Sequence, residues 1–298
     1  MECVTDARLA VVSRTESGTA PQLLNLGCGQ RFHPAWTNLD LHPVHSSIQR
    51  WDVQTALPFG DETFDAVYHS HLFEHLPRAR TAPFLTECHR VLKPGGVLRL
   101  AVPDLETIAR LYLAALESAA CGDAGALEEH RWLVMELYDQ STREVSGGEM
   151  RDYLNRAPCA LARQRIGDAA GALAKGERLN ADSRAVWRER LRGWLFGSWR
   201  ERLIRWLLGP EYPLLQIGRF RRGGEVHQWM YDRVSLQAVL AEAGFADFRC
   251  VEPMESAIAG WIDYHLDVAP DGAIRKPDSL FVEARRPARN VSDRRIPS

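Results

Sequence analysis

The sequence feature that most constrains the fold is an apolar run that ends in a Gly-x-Gly turn, PQLLNLGCG at residues 21–29. Such a run predicts a buried strand that enters a tight turn. An amphipathic helix is predicted at 81–96, where it ends at Lys-Pro-Gly-Gly. Four further strands are predicted at 37–41, 48–53, 62–70 and 97–104. This order of elements indicates an α/β fold whose sheet is mainly parallel.

The pattern changes in the middle of the chain. Residues 105–226 are mostly helical in pattern, with few strand signals. A helix and two strands then resume the sheet, at 232–245, 246–253 and 279–287. We therefore predict one sheet domain, formed by residues 1–104 and 227–298, that is interrupted by a helical insertion or lid at 105–226.

The composition of the chain limits the partners and the cellular location that we expect for it. The 298 residues carry a formal net charge of −2, so no global charge draws the chain to nucleic acid. The six cysteines are scattered without a C-x-x-C pair, which indicates free thiols in a reducing compartment. The first residues lack the pattern of a signal peptide, and no uninterrupted apolar stretch reaches about 18 residues. A cytoplasmic location is expected.

A glycine turn at the carboxyl edge of such a sheet offers backbone N–H groups to a nucleotide. The dinucleotide fingerprint G-x-G-x-x-G requires a third glycine, but Phe32 stands at that position. The next acid, Asp40, also follows too soon for the long helix of that fingerprint. A nicotinamide or flavin cofactor is therefore disfavoured, and a plain tight turn is the alternative without a ligand.

Three sequence blocks in order point to another kind of nucleotide-binding protein. They are the turn LLNLGCG, the stretch D-V-x-x-x-L-P-F-x-D-x-x-F-D-x-V, and E-H-L followed by R-V-L-K-P-G-G. Together they resemble the type 11 group of class I methyltransferases that depend on S-adenosylmethionine (SAM). The resemblance covers residues 21–104 well and 227–287 more loosely. It implies a Rossmann-like α/β sandwich, SAM as cofactor and S-adenosylhomocysteine (SAH) as product.

The resemblance also implies cofactor contacts. Gly27 and Gly29 would let the backbone approach the methionine moiety, and Cys28 between them would pack. Asp40 would accept hydrogen bonds from the ribose hydroxyls, although a short carboxylate after a strand can instead cap a turn. Asp52 would face the adenine amine. The implied cofactor-binding residues are Asn25, Gly27, Cys28, Gly29, Asp40, Leu41, Asp52, Val53 and Ser70.

A cluster of histidines follows the fourth predicted strand. Residues 71–75 spell H-x-x-E-H, the inverted zinc-peptidase pattern, but Pro77 leaves too little room for the helix that this site needs. No resident metal is therefore predicted. His71 and His75 lie near the expected methyl position, so each is a candidate base or acceptor contact. The alternative is that these histidines hold the loop through backbone hydrogen bonds.

A second polar and aromatic cluster lies just before the returning helix. His227 and Tyr231 belong to it, in a segment that commonly lines acceptor pockets in this fold. They are a second pair of candidate acid/base residues, with core packing as the alternative. The catalytic candidates are thus His71, His75, His227 and Tyr231.

Residues 184–206 place tryptophans and leucines at helical spacing, with arginines on the opposite face. Three interpretations are open. The segment is a lid helix that packs on the sheet domain, a basic face that lies on an anionic membrane, or the wall of an arginine-lined pocket for an anionic acceptor.

The predicted reaction is methyl transfer from SAM to a nucleophilic atom, with a hydroxyl of a small molecule or saccharide as the first hypothesis for the acceptor. The (Asp/Asn/Ser)-Pro-Pro-aromatic motif of enzymes that methylate nucleic-acid amino groups is absent, so no nucleic-acid partner is expected. Two alternatives stay open because the fold does not fix the acceptor. One is a non-catalytic regulatory or scaffold protein that binds SAM or SAH. The other is a membrane-surface methyltransferase that acts on a lipid-linked acceptor.

Overall fold

Parallel strands dominate the structure, a computed structural model that describes residues 20–156, 158–167 and 198–289. Its strands are Leu23–Leu26 (β1), Thr37–Asp40 (β2), Ile48–Arg50 (β3), Phe64–Ser70 (β4), Leu92–Pro103 (β5), Ala246–Cys250 (β6) and Ser279–Arg285 (β7). They form one seven-stranded sheet in the order β3-β2-β1-β4-β5-β7-β6. β1 to β5 are parallel, and β7 is antiparallel to both of its neighbours. The predicted α/β class with a mainly parallel sheet is confirmed.

In the described parts of the chain between β5 and β6, most residues are helical. The described α-helices are Arg78–Val91 (α1), Leu105–Ala120 (α2), Ala124–Thr142 (α3), Gly148–Arg156 (α4), Ala160–Ile166 (α5), Ser198–Leu208 (α6), Tyr212–Arg221 (α7) and Arg233–Glu242 (α8). α2 and α8 begin at Asp104 and Asp232, whose carboxylates accept hydrogen bonds from backbone N–H groups of the first turn. None of the helices in these described ranges is long and apolar enough to cross a membrane.

The described residues form three apolar clusters. On one face of the sheet, Leu24 and Leu98 pack with residues of α1 and α8. On the other face, Leu23 and Tyr68 pack with aromatic residues from loops. α2 to α5 have a separate cluster around the fully buried Trp132. Because both faces are covered, the central strands are mostly apolar, as parallel strands usually are, although Asn25, His69 and Arg99 are buried among them.

The helix predicted at 81–96 has different ends in the structure. It starts earlier and ends at Val91, and residues 93–96 belong to β5. The register of β4 against β5 shifts between Phe64 and Ala66, which lets the Lys-Pro-Gly-Gly residues form an irregular part of the strand. A Pro-Gly sequence suits a strand irregularity as well as the end of a helix.

Loops and aromatic rings replace helices on one face of the sheet. The connections between β1 and β2 and between β2 and β3 are described throughout and contain no helix. Trp36 covers this face and packs against Tyr68 and Trp261, with ring centroids 6.0 and 6.2 Å apart. Trp261 belongs to residues 251–278, the connection between β6 and β7, to which the sequence analysis assigned no role.

A buried arginine fixes this connection to the sheet. Arg99 on β5 has no exposed side-chain surface, and it pairs with Asp267 at 2.9 Å and with Glu283 on β7 at 3.0 Å. Its guanidinium lies 4.3 Å from the ring centroid of Trp261 and donates a hydrogen bond to the carbonyl of Pro253. The two carboxylates and the carbonyl compensate a charge that is otherwise costly to bury.

The Arg99→Met variant should lose about 3–5 kcal/mol of unfolding free energy, because it leaves Asp267 and Glu283 buried without their cation. Urea denaturation followed by circular dichroism measures this loss. Arg110→Met is the matched control, since its side chain is 74% exposed and pairs with Glu106 on the surface of α2. Equal unfolding free energies for the two variants would show that the buried pairs do not stabilise the fold.

Candidate functional site

A cavity of about 240 Å³ opens at the carboxyl ends of β1 and β4. This edge of a parallel sheet is where α/β folds bind ligands. The walls come from the glycine turn after β1, the end of β4, and the β6–β7 connection with the start of β7. The lining residues are Asn25, Gly27, Cys28, Gly29, Gln30, Arg31, Tyr68, Ser70, His71, Leu266, Asp267, Arg275, Lys276 and Phe281.

The glycine turn has the backbone that the sequence predicted. Gly27 and Gly29 both take positive φ angles, 61° and 51°, which favour glycine. A Cβ atom on Gly27 would also lie 2.8 Å from the Leu72 side chain, whereas one on Gly29 would meet nothing within 4 Å. Burial, and then the nearby Asp40 carboxylate, raise the pKa of the Cys28 thiol to about 12. Cys28 is therefore a neutral thiol, in keeping with a packing role.

Asp40 lies at the end of β2 and holds the glycine turn in place. One carboxylate oxygen accepts a hydrogen bond from the Gly29 N–H at 2.8 Å, and the other accepts one from the His42 N–H at 2.7 Å. These are contacts of the turn-capping kind, the alternative role considered for this residue. They also fix the carboxylate next to a wall of the cavity.

The other predicted cofactor residues are divided between the cavity and its surroundings. Asn25, Gly27, Cys28, Gly29 and Ser70 line the cavity. Asp52 is exposed and accepts a hydrogen bond from the Gln54 N–H at 2.9 Å, and Val53 is buried in the core. Leu41 is half-exposed after β2. Asp40, Leu41, Asp52 and Val53 are outside the cavity walls, so their roles toward a cofactor stay predictions.

Several lining residues were missed by the sequence analysis. Leu266, Asp267, Arg275 and Lys276 reach the cavity from the β6–β7 connection. The Tyr68 hydroxyl on β4 donates a hydrogen bond to Asp267, 199 residues away in the chain. No local pattern marks these residues, because their position depends on the long-range pairing of Arg99.

His71 is held at the cavity from both sides of its ring. Nδ1 lies 3.1 Å from an oxygen of the Glu74 carboxylate, and Nε2 lies 2.7 Å from the Ser279 hydroxyl. Its φ angle is 49°, a left-handed conformation that is uncommon for residues other than glycine. These side-chain contacts differ from the backbone hydrogen bonds of the alternative interpretation.

Glu74 is fully buried and is surrounded by imidazoles. The rings of His75 and His227 lie 4.7 Å apart, edge to face, beside its carboxylate. Burial lowers the pKa of His227 to about 3 and also lowers the pKa of His75, so both rings are neutral at neutral pH. Burial on its own raises the pKa of Glu74, but the adjacent imidazoles, His71 first, outweigh it and hold that pKa below its usual value.

Three of the four catalytic candidates therefore meet around one carboxylate. His71 lines the cavity, and His75 and His227 lie behind it. Tyr231 instead packs in the core with its ring centroid 4.9 Å from that of Phe73, and it does not line the cavity. Its catalytic role stays a prediction.

The tryptophan-rich segment is described only in part, because residues 184–197 lie outside the described residues. Trp199 and Trp206 are on α6, and their residues are 63% and 77% exposed. A lid helix would need these two tryptophans to pack against the sheet domain, and their exposure shows that they do not.

The chain shares a domain profile with methyltransferases. Residues 33–100 match a family described as "Methyltransferase domain". A curated relative, malonyl-[acyl-carrier protein] O-methyltransferase 1 of Coxiella burnetii, is 38% identical over 58 residues. That alignment covers 20% of this chain and 20% of the relative, so the chain spans about a fifth of the length of the curated relative that it matches.

Solved structures of methyltransferases resemble the whole chain weakly. A chain from the complex of the Haloferax volcanii Trm112 methyltransferase activator with a methyltransferase has a TM-score of 0.36 at 12% identity, and the alignment covers 90% of this chain and 83% of that one. A SAM-dependent methyltransferase of Thermotoga maritima has a TM-score of 0.35 at 11% identity with the same coverage. The strand order, and not these scores, establishes the fold.

The profile match contains β2 to β4, α1 and most of β5, and beyond β5 the sheet continues with the reversed strand β7 and then the edge strand β6. The glycine turn, the strand order and the match at 33–100 agree with one another. Over residues 33–100 the chain is similar to the methyltransferase-domain family, and its mainly parallel seven-stranded sheet is consistent with the class I, SAM-dependent type.

Proposed function

We propose that the protein transfers the methyl group of SAM to a hydroxyl of a small molecule or saccharide. The family supports SAM-dependent methylation in general. The observation that carries the finer proposal is the composition of the cavity. The glycine turn forms one wall, and His71, with the buried carboxylate of Glu74 behind it, forms another.

Three features of the chain suit SAM. The space at Gly29 is open, and it would admit the methionine moiety next to the backbone. Asp40 retains carboxylate lone pairs for the ribose hydroxyls while it binds the Gly29 N–H. Asp52 is exposed after β3, where it is open to an adenine amine. SAM supplies a methyl group on a sulfonium leaving group, so the protein mainly has to align the reactants and exclude water.

The surroundings of His71 favour a hydroxyl acceptor, which needs a base more than a neutral amine or a thiol does. Nε2 of His71 is the nitrogen that would take the proton, and Glu74 on the opposite nitrogen would orient the ring and stabilise the imidazolium. The Ser279 hydroxyl at Nε2 marks a position that suits a hydroxyl group. An acceptor hydroxyl would replace it there or pass its proton through it.

Isothermal titration calorimetry with SAM and, separately, with SAH tests the cofactor assignment. Wild-type protein should bind both. Asp40→Ala should weaken both about 10- to 100-fold, because a hydrogen bond to a charged group contributes about 1.5–3 kcal/mol. Asp61→Ala is the control, since this exposed carboxylate pairs with Arg90, neither residue lines the cavity, and its loss should leave the affinities unchanged.

One outcome of these experiments would contradict SAM as the cofactor, and another would contradict only the ribose contact assigned to Asp40. Absence of binding by folded wild-type protein at high ligand concentration would remove SAM as the cofactor. Unfolding of Asp40→Ala, seen by circular dichroism, would show that the carboxylate serves mainly the turn through Gly29 and His42. In the second case the wild-type titration alone decides the cofactor.

His71→Gln should slow methyl transfer about 10²- to 10⁴-fold, the usual contribution of a general base, while SAM affinity stays within about twofold. Transfer from methyl-labelled SAM into the low-mass, protein-free fraction of a cell extract measures the rate while the acceptor is still unidentified. His130→Gln on α3 is the control. A His71→Gln rate equal to that of the control would refute the role of His71, and binding of SAM without any transfer would favour a regulatory protein.

We propose, as a second candidate, that the enzyme works at an anionic membrane surface on a lipid-linked acceptor. Trp199, Leu203, Trp206 and Leu207 are exposed at helical spacing on α6. Arginines alternate with them, as in helices that lie in the headgroup region of anionic membranes; they are Arg200, Arg202 and Arg205.

Co-sedimentation with vesicles tests this second candidate. Wild-type protein should sediment with phosphatidylglycerol-containing vesicles and remain in solution with pure phosphatidylcholine vesicles, because both the apolar and the basic side chains contribute. The double substitution Trp199→Ser and Trp206→Ser should abolish sedimentation. Leu113→Ser, at an exposed leucine on α2, should not change it. Wild-type protein that stays in solution with both kinds of vesicle would rule this candidate out.

A further inference from the structure

The buried group around Glu74 contains the elements of a metal site. One carboxylate oxygen of Glu74 and one ring nitrogen each of His75 and His227 lie within 4.8 Å of one another. Ligand atoms of a single transition-metal ion lie at about 2.0–2.2 Å from it, hence at most about 4 Å apart. Small side-chain adjustments would bring all three onto one ion.

Polar atoms of this group are buried without hydrogen bonds. Within the described residues, Oε2 of Glu74 and Nδ1 of His227 have no hydrogen-bond partner. The His71 ring lies 3.1 Å from one of the two oxygens, as an ion-pair contact. A buried carboxylate oxygen and a buried imidazole nitrogen without hydrogen bonds are costly, and a bound ion is one of the few ways to satisfy both at once.

Backbone hydrogen bonds hold the segment that contains His227 next to Glu74 and His75, although it lies about 150 residues later in the chain. The N–H groups of Gln228 and Trp229 donate hydrogen bonds to the Glu74 carbonyl at 2.7 and 3.3 Å. Nδ1 of His75 faces the Val226 carbonyl at 3.4 Å, which leaves Nε2 for a ligand. An imidazole whose second nitrogen meets a backbone carbonyl is the usual arrangement around protein-bound metals.

We propose that Glu74, His75 and His227 bind a divalent transition-metal ion of the zinc, cobalt or iron(II) class. Two imidazoles and one carboxylate are the ligand set of open sites, which keep positions free for water or substrate. This proposal departs from the expectation of no resident metal. The pattern H-x-x-E-H suggested His71 and His75 as a pair on one helix, whereas the structure combines His75 with a histidine 152 residues later in the chain.

The site lies one side chain away from the cavity, because His71 contacts Glu74 and lines the cavity wall. An ion bound to Glu74 would act on the proposed reaction through His71, whose ring lies between Glu74 and the cavity. This part of the inference rests on the proposed function. In that case His75 and His227 bind metal and are not bases.

Cobalt titration of untagged, metal-free protein tests the site. We expect one Co²⁺ per chain, with visible absorption bands that differ from those of aqueous Co²⁺ and that disappear when Zn²⁺ is added. Glu74→Gln and His227→Gln should each lower Co²⁺ affinity at least about tenfold, since even the outer partners of metal ligands affect affinity by about 10- to 100-fold. His130→Gln should bind as the wild type does.

The proposal is overturned if wild-type protein shows no altered Co²⁺ spectrum, or if the two site variants bind as tightly as His130→Gln does. Should either variant fail to fold, anomalous X-ray scattering from wild-type crystals grown with Zn²⁺ decides the question. An ion between Glu74, His75 and His227 supports the site, and ions found only elsewhere overturn it.

The two proposals can fail separately, because the metal titration contains no SAM and the SAM titration uses metal-free protein. Binding of SAM without cobalt would remove the metal site and leave the methyltransferase proposal intact. Binding of cobalt at these residues without binding of SAM would remove the methyltransferase proposal and leave the metal site intact.

Discussion

The ion pairs of Arg99 with Asp267 and Glu283 join the sheet to the segment that completes the site. Asp267 also accepts a hydrogen bond from the Tyr68 hydroxyl, so the network runs from the centre of β5 to a wall of the cavity. The β6–β7 connection, fixed in this way, covers a sheet face that has loops in place of helices and supplies several lining residues. The pocket therefore depends on a buried charge that is compensated by two acids from late in the chain.

Much of the sheet could be predicted from the sequence because its signals are local. The apolar run before Gly27 and the positive φ angles of the turn follow from residue types alone. The β6–β7 connection could not be predicted in the same way. It has no apolar period, and its place is set by Arg99, whose burial inside a strand is not visible in the sequence.

In the candidate site too, the individual residues could be predicted from local sequence patterns, whereas their grouping could not. The motifs drew attention to His71, His75 and His227 as separate candidates, since each lies in an informative segment. Their grouping around Glu74 depends on backbone hydrogen bonds from residues 228 and 229 to the Glu74 carbonyl, which no local pattern encodes. For Asp40 the local sequence pattern is visible, but it allows two different roles. A carboxylate after a strand predicts both ligand binding and turn capping, and the contacts with backbone N–H groups demonstrate only the second.

The position of β7 has a consequence for synthesis on the ribosome. β7 is the last described strand, yet it lies between β5 and β6, and 208 residues separate His71 from its partner Ser279. A nascent chain that has released β1 to β5 thus exposes the edge of β5, with Arg99 still lacking its acids. Unpaired strand edges are sites of aggregation. The ribosome-bound chain accordingly exposes this edge until the residues up to β7 have been synthesised, and during that interval association with neighbouring chains is favoured.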